Sequence, residues 1–221
     1  MDELLELSYC VSPQTICGEG NVSMREEGDT FLIKASGTTL DTLDYEDLVR
    51  CDLDGNALEG EEKKPSMEVS FHAWILKTFP SINCVCHTHP THTIKILCSS
   101  RLHDFANKRL FPDQVVRNGT RSCVVPYATP GLPLREAIKT SVEDFMGRNG
   151  FFPKLILLKN HGIITTGASV RECTVSTLMC EKSAEIFIGA KLLNNIQFLT
   201  PQEVAAVDTN PSEKYRRELY K

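Results

Sequence analysis

The segment Asn83-Cys84-Val85-Cys86-His87-Thr88-His89-Pro90 holds the most informative feature of this chain, a pair of histidines two residues apart. Residues 82–86 form a short, apolar and partly β-branched stretch, which is typical of a buried strand. Side chains two apart on a strand point to the same face, so we expect the imidazoles of His87 and His89 to converge. A convergent pair favours a divalent metal, although two unrelated polar residues at a strand end would give the same spacing.

Composition limits the classes of function. The chain has 221 residues, of which 41% are hydrophobic, and this predicts one globular domain over residues 1–221. The net charge of -5 without a basic stripe argues against a nucleic-acid partner, and no apolar run is long enough to span a membrane. The acidic N-terminus does not resemble a secretory signal. Nine cysteines without a C-x-x-C pair predict reduced core residues and a cytoplasmic location.

Periodicity predicts strands and helices in mixed order. We expect a turn at residues 18–23, a helix that begins at the N-cap residue Ser66, and a loop over most of residues 101–119. Capping boxes at residues 169–172 and 200–203 predict two further helix starts. Other strands are expected at 31–34, 48–53, 122–126, 155–158 and 163–164, and other helices at 91–98 and 133–147. Because the order lacks strict βαβ alternation, we expect a mixed sheet covered by helices on both faces.

A third candidate metal ligand is His161. It follows an apolar strand, and Gly162 allows the backbone to turn sharply behind it. Three neutral imidazoles with an open fourth position are typical of a catalytic zinc site. For His161 taken alone, a loop histidine with satisfied hydrogen bonds is the favoured interpretation. His72, His92 and His103 are interpreted as non-ligands.

Glu68 is the candidate acid/base. We expect it in the first turn of the helix that begins at Ser66, where the helix dipole favours an ionised carboxylate. The alternative interpretation is an ordinary first-turn acid that supports the helix.

Three turns offer donors to an anion. They contain Asn21, the pair Ser36 and Gly37, and Ser66, and each combines backbone N–H groups with polar side chains. The alternative is that these residues are present because turns favour them.

Taken in order, these segments resemble the class II aldolase/adducin family, typified by L-fuculose-1-phosphate and L-rhamnulose-1-phosphate aldolases. The resemblance extends from about residue 18 to about residue 190. The matching segments are GNVS at 20–23, LIKASGT at 32–38, DLDG at 52–55, PSME at 65–68, HTH at 87–89, PYAT at 126–129 and LKNHG at 158–162. It implies a three-layer α/β/α sandwich around a mixed, mainly antiparallel sheet. It also implies a homotetramer with active sites at subunit interfaces.

The resemblance assigns roles to individual residues. It implies a divalent metal, most commonly Zn²⁺ with Mn²⁺, Co²⁺ or Fe²⁺ as alternatives, on His87, His89 and His161. Glu68 matches the catalytic acid/base, which in the family also approaches the metal. The phosphate-binding positions fall on Asn21, Ser36, Gly37 and Ser66. Met67 departs from the family, where a second serine is frequent, and Tyr215 and Tyr220 are candidates for a tyrosine that reaches a neighbouring subunit.

The function that follows is a metal-dependent aldolase. It would cleave a ketose phosphate to dihydroxyacetone phosphate and a small aldehyde through a metal-stabilised enediolate, with Glu68 moving the proton. The same scaffold supports a sugar-phosphate 4-epimerase, a dehydratase or a decarboxylase. A non-catalytic interaction module of the adducin type is the alternative from a different class.

Overall fold

A seven-stranded sheet forms the centre of the structure, a computed structural model that describes residues 1–193 and 195–219. The strands lie in the order β3-β2-β1-β4-β7-β6-β5, and every neighbouring pair is antiparallel except β5 and β6. The predicted mixed, mainly antiparallel sheet is therefore confirmed. The strands are β1 (Gly20–Arg25), β2 (Thr30–Lys34), β3 (Leu48–Asp52), β4 (Cys84–Thr88), β5 (Cys123–Val125), β6 (Leu155–Leu158) and β7 (Gly162–Gly167).

Helices cover both faces of this sheet, as the three-layer prediction requires. The α-helices are α1 (Asp2–Val11), α2 (Val69–Thr78), α3 (Thr91–Leu97), α4 (Leu102–Asn107), α5 (Pro112–Asn118), α6 (Leu132–Asn149), α7 (Val170–Leu192), α8 (Pro201–Thr209) and α9 (Pro211–Glu218). Helices α2 and α6 pack on one face, while α1, α3 and α7 pack on the other.

Alternation along β2 and β4 explains why both faces are apolar. Phe31, Ile33 and Val85 belong to the core beneath α2 and α6, whereas Leu32 and Cys84 belong to the core beneath α1. Successive side chains on a strand point to opposite faces, so a continuous apolar strand requires helices on both sides.

Two predicted boundaries are wrong where polar residues have distant partners. The segment expected as a turn at 18–23 enters β1 at Gly20, since Asn21 and Ser23 are buried strand residues. The helix expected to begin at Ser66 begins at Val69, with Glu68 at its N-cap. Ser66 N–H instead donates to the carbonyl of Lys34 at 3.0 Å, which holds this segment against the end of β2.

The prediction of a loop over most of residues 101–119 is also wrong. Two short helices, α4 and α5, occupy this region, and Pro112 is the first residue of the second. Helices of one or two turns are too short to show a clear 3.6-residue period, and this accounts for the error.

The helix caps follow the predicted pattern with one difference. Thr200 and Glu203 form a reciprocal capping box at α8. At α7 the Ser169 side chain accepts from Glu172 N–H, but the Glu172 carboxylate accepts from Ala168 N–H, one residue before the cap.

All nine cysteines are free, but the expectation that they are core residues holds for only six of them, because Cys17 and Cys98 are exposed and Cys10 is half-buried. No helix within the described residues is both long and apolar enough to cross a lipid bilayer.

Candidate metal centre and acid/base site

The structure brings three histidines together at one edge of the sheet. His87 lies near the end of β4, His89 just beyond it, and His161 in the turn between β6 and β7. Their ring centroids are 4.8–5.0 Å apart, and one nitrogen from each ring lies within 4.8 Å of the others. A tetrahedral metal with nitrogen bonds of about 2.0–2.1 Å spaces its ligand nitrogens by roughly 3.3 Å, so these donors fit one small cation after slight adjustment.

Antiparallel pairing of β4 with β7 brings His161 close to the other two histidines. His87 lies opposite Ile164 in this pair, so the start of β7 is adjacent to the end of β4. Gly162 makes the close approach possible, because a Cβ atom there would lie 2.5 Å from the His89 ring and 2.6 Å from the carbonyl oxygen of Thr88. Any other residue would push the two strands apart at the cluster.

A backbone carbonyl orients the ring of His87. Its Nδ1–H donates to the carbonyl of Ile163 at 2.8 Å, an assignment that follows because a carbonyl only accepts. The other nitrogen, Nε2, is thereby directed toward His89 Nε2 at 3.0 Å and Glu68 Oε2 at 3.1 Å. Metal-binding histidines typically donate the N–H of their other ring nitrogen to a backbone carbonyl or a carboxylate in this way.

Glu68 is buried beside the three rings. Its Oε2 accepts from Asn21 Nδ2 at 2.8 Å, whereas its Oε1 lies 3.5 Å from His161 Nε2 and has no hydrogen-bond partner among the described residues. Burial acts to raise the pKa of this carboxyl. The charge of His87 and the hydrogen bonds from His87 and Asn21 act in the opposite direction and outweigh burial, so the pKa lies below its ordinary value. Glu68 is therefore ionised at neutral pH, with one oxygen anchored and the other not.

The protonation states of the histidines suit metal binding. Burial and the positive charge of His87 lower the pKa of His89 to about 3 and that of His161 to about 4. Burial also acts to lower the pKa of His87, but the neighbouring Glu68 carboxylate raises it above its ordinary value. His89 and His161 thus present neutral lone pairs at physiological pH, and a metal would displace only the proton that His87 shares with Glu68.

A buried chain of hydrogen bonds leads to Glu68. Ser23 Oγ lies 2.7 Å from His72 Nδ1, His72 Nε2 bonds Asn21 Oδ1, and Asn21 Nδ2 bonds Glu68. Because the ionised carboxylate only accepts, Asn21 must present its NH₂ to Glu68, so His72 donates from Nε2 and accepts from Ser23 at Nδ1. The chain therefore has a single polarity, which runs from Ser23 to Glu68.

The sequence analysis missed the role of His72. It identified His72 only as a non-ligand, and the structure does place it outside the three-histidine cluster. A signal was present, because His72 follows Glu68 by four residues and Asn21 and Ser23 are two apart on one strand.

The predicted anion-binding turns lie side by side. Ala35 pairs with Pro65, Ser36 N–H donates to Lys64 O at 2.9 Å, and Ser66 N–H donates to Lys34 O. Since these backbone N–H groups already form hydrogen bonds, the two serines would bind an anion through their hydroxyl groups rather than through their backbone amides. Gly37 is exposed in the turn with φ +83°, a conformation that favours glycine.

Lys34 is a second residue that the sequence analysis missed. Its side chain is buried beneath the 35–38 turn, and its Nζ donates to the carbonyls of Ala35 and Thr38. Burial lowers the pKa of this lysine, while Asp47 and Glu68 oppose that effect. A lysine at the end of an apolar strand was the available signal, and its charge makes the turn favourable to an anion.

The remaining candidates do not belong to the three-histidine cluster. His92 contacts Glu181 at 2.8 Å, and His103 lies on α4 rather than in the predicted loop. Met67 and Tyr215 are 74% and 67% exposed, and Tyr220 lies outside the described residues.

Comparisons with known proteins identify the family. The family model described as "Class II Aldolase and Adducin N-terminal domain" matches residues 14–188. A 3-oxo-tetronate 4-phosphate decarboxylase of Haemophilus influenzae is 30% identical over 191 residues, covering 86% of both chains. An L-fuculose phosphate aldolase of Methanococcus maripaludis is 30% identical over 179 residues, covering 80% of this chain and 87% of that one.

Solved structures agree on the fold. An L-fuculose 1-phosphate aldolase superposes with a TM-score of 0.80 at 23% identity, covering 97% of this chain and 95% of that one. YgbL of Escherichia coli has the same TM-score at 24% identity, covering 94% and 97%. With a mixed sheet between helical layers and a family match over most of its length, the chain belongs to the class II aldolase/adducin family.

Proposed function

We propose that this protein is a metal-dependent enzyme that cleaves the bond between the α and β carbons of a carbonyl group in a sugar phosphate or sugar-acid phosphate. The observation that carries the proposal is the convergence of three imidazoles beside a buried, ionised carboxylate. Related proteins of known name act on phosphorylated substrates of this kind.

His87, His89 and His161 are the proposed metal ligands, with Zn²⁺ as the expected ion and Mn²⁺, Co²⁺ or Fe²⁺ as alternatives. A divalent metal bound there would supply a Lewis acid that withdraws electrons from the substrate carbonyl, one carbon away from the bond that breaks. The carbonyl of Ile163 keeps His87 Nε2 directed at the cluster, and Gly162 keeps the third ring close.

Glu68 moves the proton at the reacting carbon, and the geometry favours Oε1 as the oxygen that does so. Oε2 is held by Asn21 Nδ2, a bond that metal binding to His87 leaves in place, whereas Oε1 has no hydrogen bond within the described residues. The chain from Ser23 through His72 holds the Asn21 amide in the orientation that anchors Oε2. His72 is thus proposed as a positioning residue for the acid/base.

The turns beside Glu68 are proposed to hold the phosphate group. Ser36 and Ser66 supply hydroxyl groups, Gly37 supplies its backbone N–H, and Asn21 retains a second amide hydrogen. Lys34 contributes positive charge from beneath the turn.

Two reactions fit this machinery. In aldol cleavage, a ketose phosphate yields dihydroxyacetone phosphate and a small aldehyde. In decarboxylation, favoured by the relative from Haemophilus influenzae, a 3-oxo-tetronate 4-phosphate loses its carboxyl carbon as CO₂ and leaves the same dihydroxyacetone phosphate. In both reactions the carbon that loses its partner takes up a proton. The ionised Glu68 would first accept that proton, which originates from the hydroxyl of the carbon that becomes the aldehyde in aldol cleavage and from solvent in decarboxylation, and would then deliver it.

The assembly and location remain proposals. We propose one domain over residues 1–221, a homotetramer with active sites at subunit interfaces, and a cytoplasmic location. Helices α8 and α9 bury no residue among those described, which leaves their faces available to a neighbouring subunit. Light scattering on the purified protein tests the tetramer.

The test is a product assay with matched variants. Purified protein is incubated with 3-oxo-tetronate 4-phosphates and with ketose 1-phosphates, and dihydroxyacetone phosphate, CO₂ and aldehyde are measured separately. CO₂ identifies a decarboxylase and aldehyde identifies an aldolase. Conversion without dihydroxyacetone phosphate would favour an epimerase or a dehydratase, and absence of both metal and conversion would favour a non-catalytic module.

Glu68→Gln should lower turnover by about 10²–10⁴-fold while the metal content is unchanged. Glu181→Gln is the matched control, because Glu181 is also a largely buried carboxylate that contacts a histidine, His92, outside the cluster. His89→Ala should lose the metal. An active Glu68→Gln variant would remove Glu68 from this role, and a His89→Ala variant with full metal content would refute the ligand set.

A further inference from the structure

A cavity of about 520 Å³ lies beside β5, the strand at one end of the sheet. Ser122, Cys123 and Val124 line one side of it, the C-terminal part of α6 lines another, and the segment from Ser99 to Asn107 lines a third. None of the three clustered histidines lines it, and neither does Glu68. Its volume is in the range of small-molecule sites.

The charged side chains that line this cavity are all positive. Arg121, Arg148 and Lys159 line it together with His103, and no aspartate or glutamate is among the described residues that do so. Within the described part of the chain, none of the three cations forms an ion pair, unlike Arg50 with Glu26 and Lys154 with Glu172.

A buried guanidinium adds to this charge from behind the cavity wall. Arg109 is 1% exposed and contacts no carboxylate of the described residues; its donors bond the carbonyls of Gly119, Phe105 and Ala106 and the hydroxyl oxygen of Ser122. Burial lowers the pKa of Arg109 to about 10, so it stays charged at neutral pH. A buried cation without a counter-ion is costly, and a nearby anion would reduce that cost.

Ser122 connects the buried charge to the cavity. Its Oγ accepts from Arg109 Nη2 at 3.0 Å, and no acceptor for its own hydroxyl hydrogen is found among the described residues. Ser122 is 4% exposed and lines the cavity, so this hydrogen is available to an occupant. A hydroxyl polarised by a guanidinium is a strengthened donor.

We propose that this cavity binds a small polyanion, either a phosphate ester or a polycarboxylate, at a site separate from the histidine cluster. The net charge of the chain is -5, so positive charge concentrated in one cavity selects for a small anion rather than a nucleic acid, which needs an extended basic surface. Lys159 lies two residues before His161, so an occupant would contact the same turn that carries a proposed metal ligand.

Isothermal titration calorimetry of the full chain tests the proposal. Pyrophosphate and tricarballylate are the two probes, and they distinguish a phosphate ester from a polycarboxylate as the ligand. Each titration is repeated in the His89→Ala background, which excludes binding through the metal. We expect saturable binding of one or both probes that weakens as salt is raised. Pyrophosphate alone would identify a phosphate-ester site, and tricarballylate alone a polycarboxylate site.

The double variant Arg121→Ala/Arg148→Ala should weaken binding by about tenfold or more, and Ser122→Ala by a smaller factor. Arg135→Ala is the control, because Arg135 lies on the same helix as Arg148 but pairs with Glu136 outside the cavity. If the double variant does not fold, Lys159→Gln replaces it. Absence of saturable binding, or binding that the cavity substitutions leave unchanged, would overturn the proposal, whatever the product assay shows.

Discussion

Replacing His72 with glutamine should make the folded protein less sensitive to acid. His72 is completely buried, and burial, with a contribution from the charge of His87, lowers its pKa to about 3. Glutamine does not titrate, yet its amide can donate to Asn21 and accept from Ser23. The variant therefore keeps the buried hydrogen-bond chain and removes only the ionisable group.

The sign of the effect follows from proton binding. An unfolded histidine titrates near 6.5, so between about pH 6.5 and pH 3 the unfolded chain binds a proton that folded His72 does not. The free energy of unfolding therefore falls as the pH falls through this range. At about pH 5, which is some 1.5 units below the unfolded pKa, His72 alone lowers the free energy of unfolding by about 2 kcal/mol relative to neutral pH.

Urea unfolding at about pH 8 and about pH 5 measures the effect. Trp74, the one tryptophan of the chain, lies on the same helix as His72 and reports unfolding by fluorescence. Metal is removed beforehand, so that its release does not contribute. Between the two pH values, the free energy of unfolding of the wild type should fall by about 2 kcal/mol more than that of His72→Gln. His103→Gln, at an exposed position, is the control and should behave as the wild type. Equal losses in wild type and His72→Gln would refute the reasoning.

Three further predictions concern the same region. Exhaustive chelation should abolish turnover and addition of Zn²⁺ or Mn²⁺ should restore it, and a chelated enzyme that remains active would contradict the metal proposal. Gly162→Ala places a Cβ atom 2.5 Å from the His89 ring and 2.6 Å from the Thr88 carbonyl. Metal analysis should therefore show a lower metal content, and urea unfolding should show a free energy of unfolding lower by about 1–3 kcal/mol. Phe71→Ala removes a buried ring that stacks on His72 with centroids 4.5 Å apart. Calorimetry should detect a free energy of unfolding lower by about 3–5 kcal/mol. An unchanged melting temperature would count against this packing.

Local pattern was sufficient for much of the fold. The strand predicted at 155–158 coincides with β6, and the helix predicted at 91–98 differs from α3 by one residue. In both segments the pattern of apolar residues can be recognised within the segment itself, so the prediction needs no information about distant residues. The convergence of His87 and His89 was predictable for the same reason, since alternation along a strand is a local property.

The errors occur where a distant partner decides the local structure. Polar residues at 20–23 were expected in a turn, but Asn21 and Ser23 are buried on β1 because Glu68 and His72 pair with them. Ser66 was expected to cap a helix, but its N–H donates to Lys34 on another strand. Contacts across dozens of residues leave no periodic trace in either segment.

The sequence by itself determined the family and the mixed sheet with helices on both faces, and it singled out the three histidines and the glutamate that the structure brings together. These depend on residue type, order and short-range period. Only the tertiary structure decided that Asn21, oriented by His72, anchors Oε2 of Glu68. It also decided that Oε1 has no hydrogen bond and that the cations lining a cavity beside β5 form no ion pair, both within the described part of the chain. The physical reason is that hydrogen-bond direction and uncompensated charge depend on which groups face one another in space, and in this fold the partners come from different strands and helices.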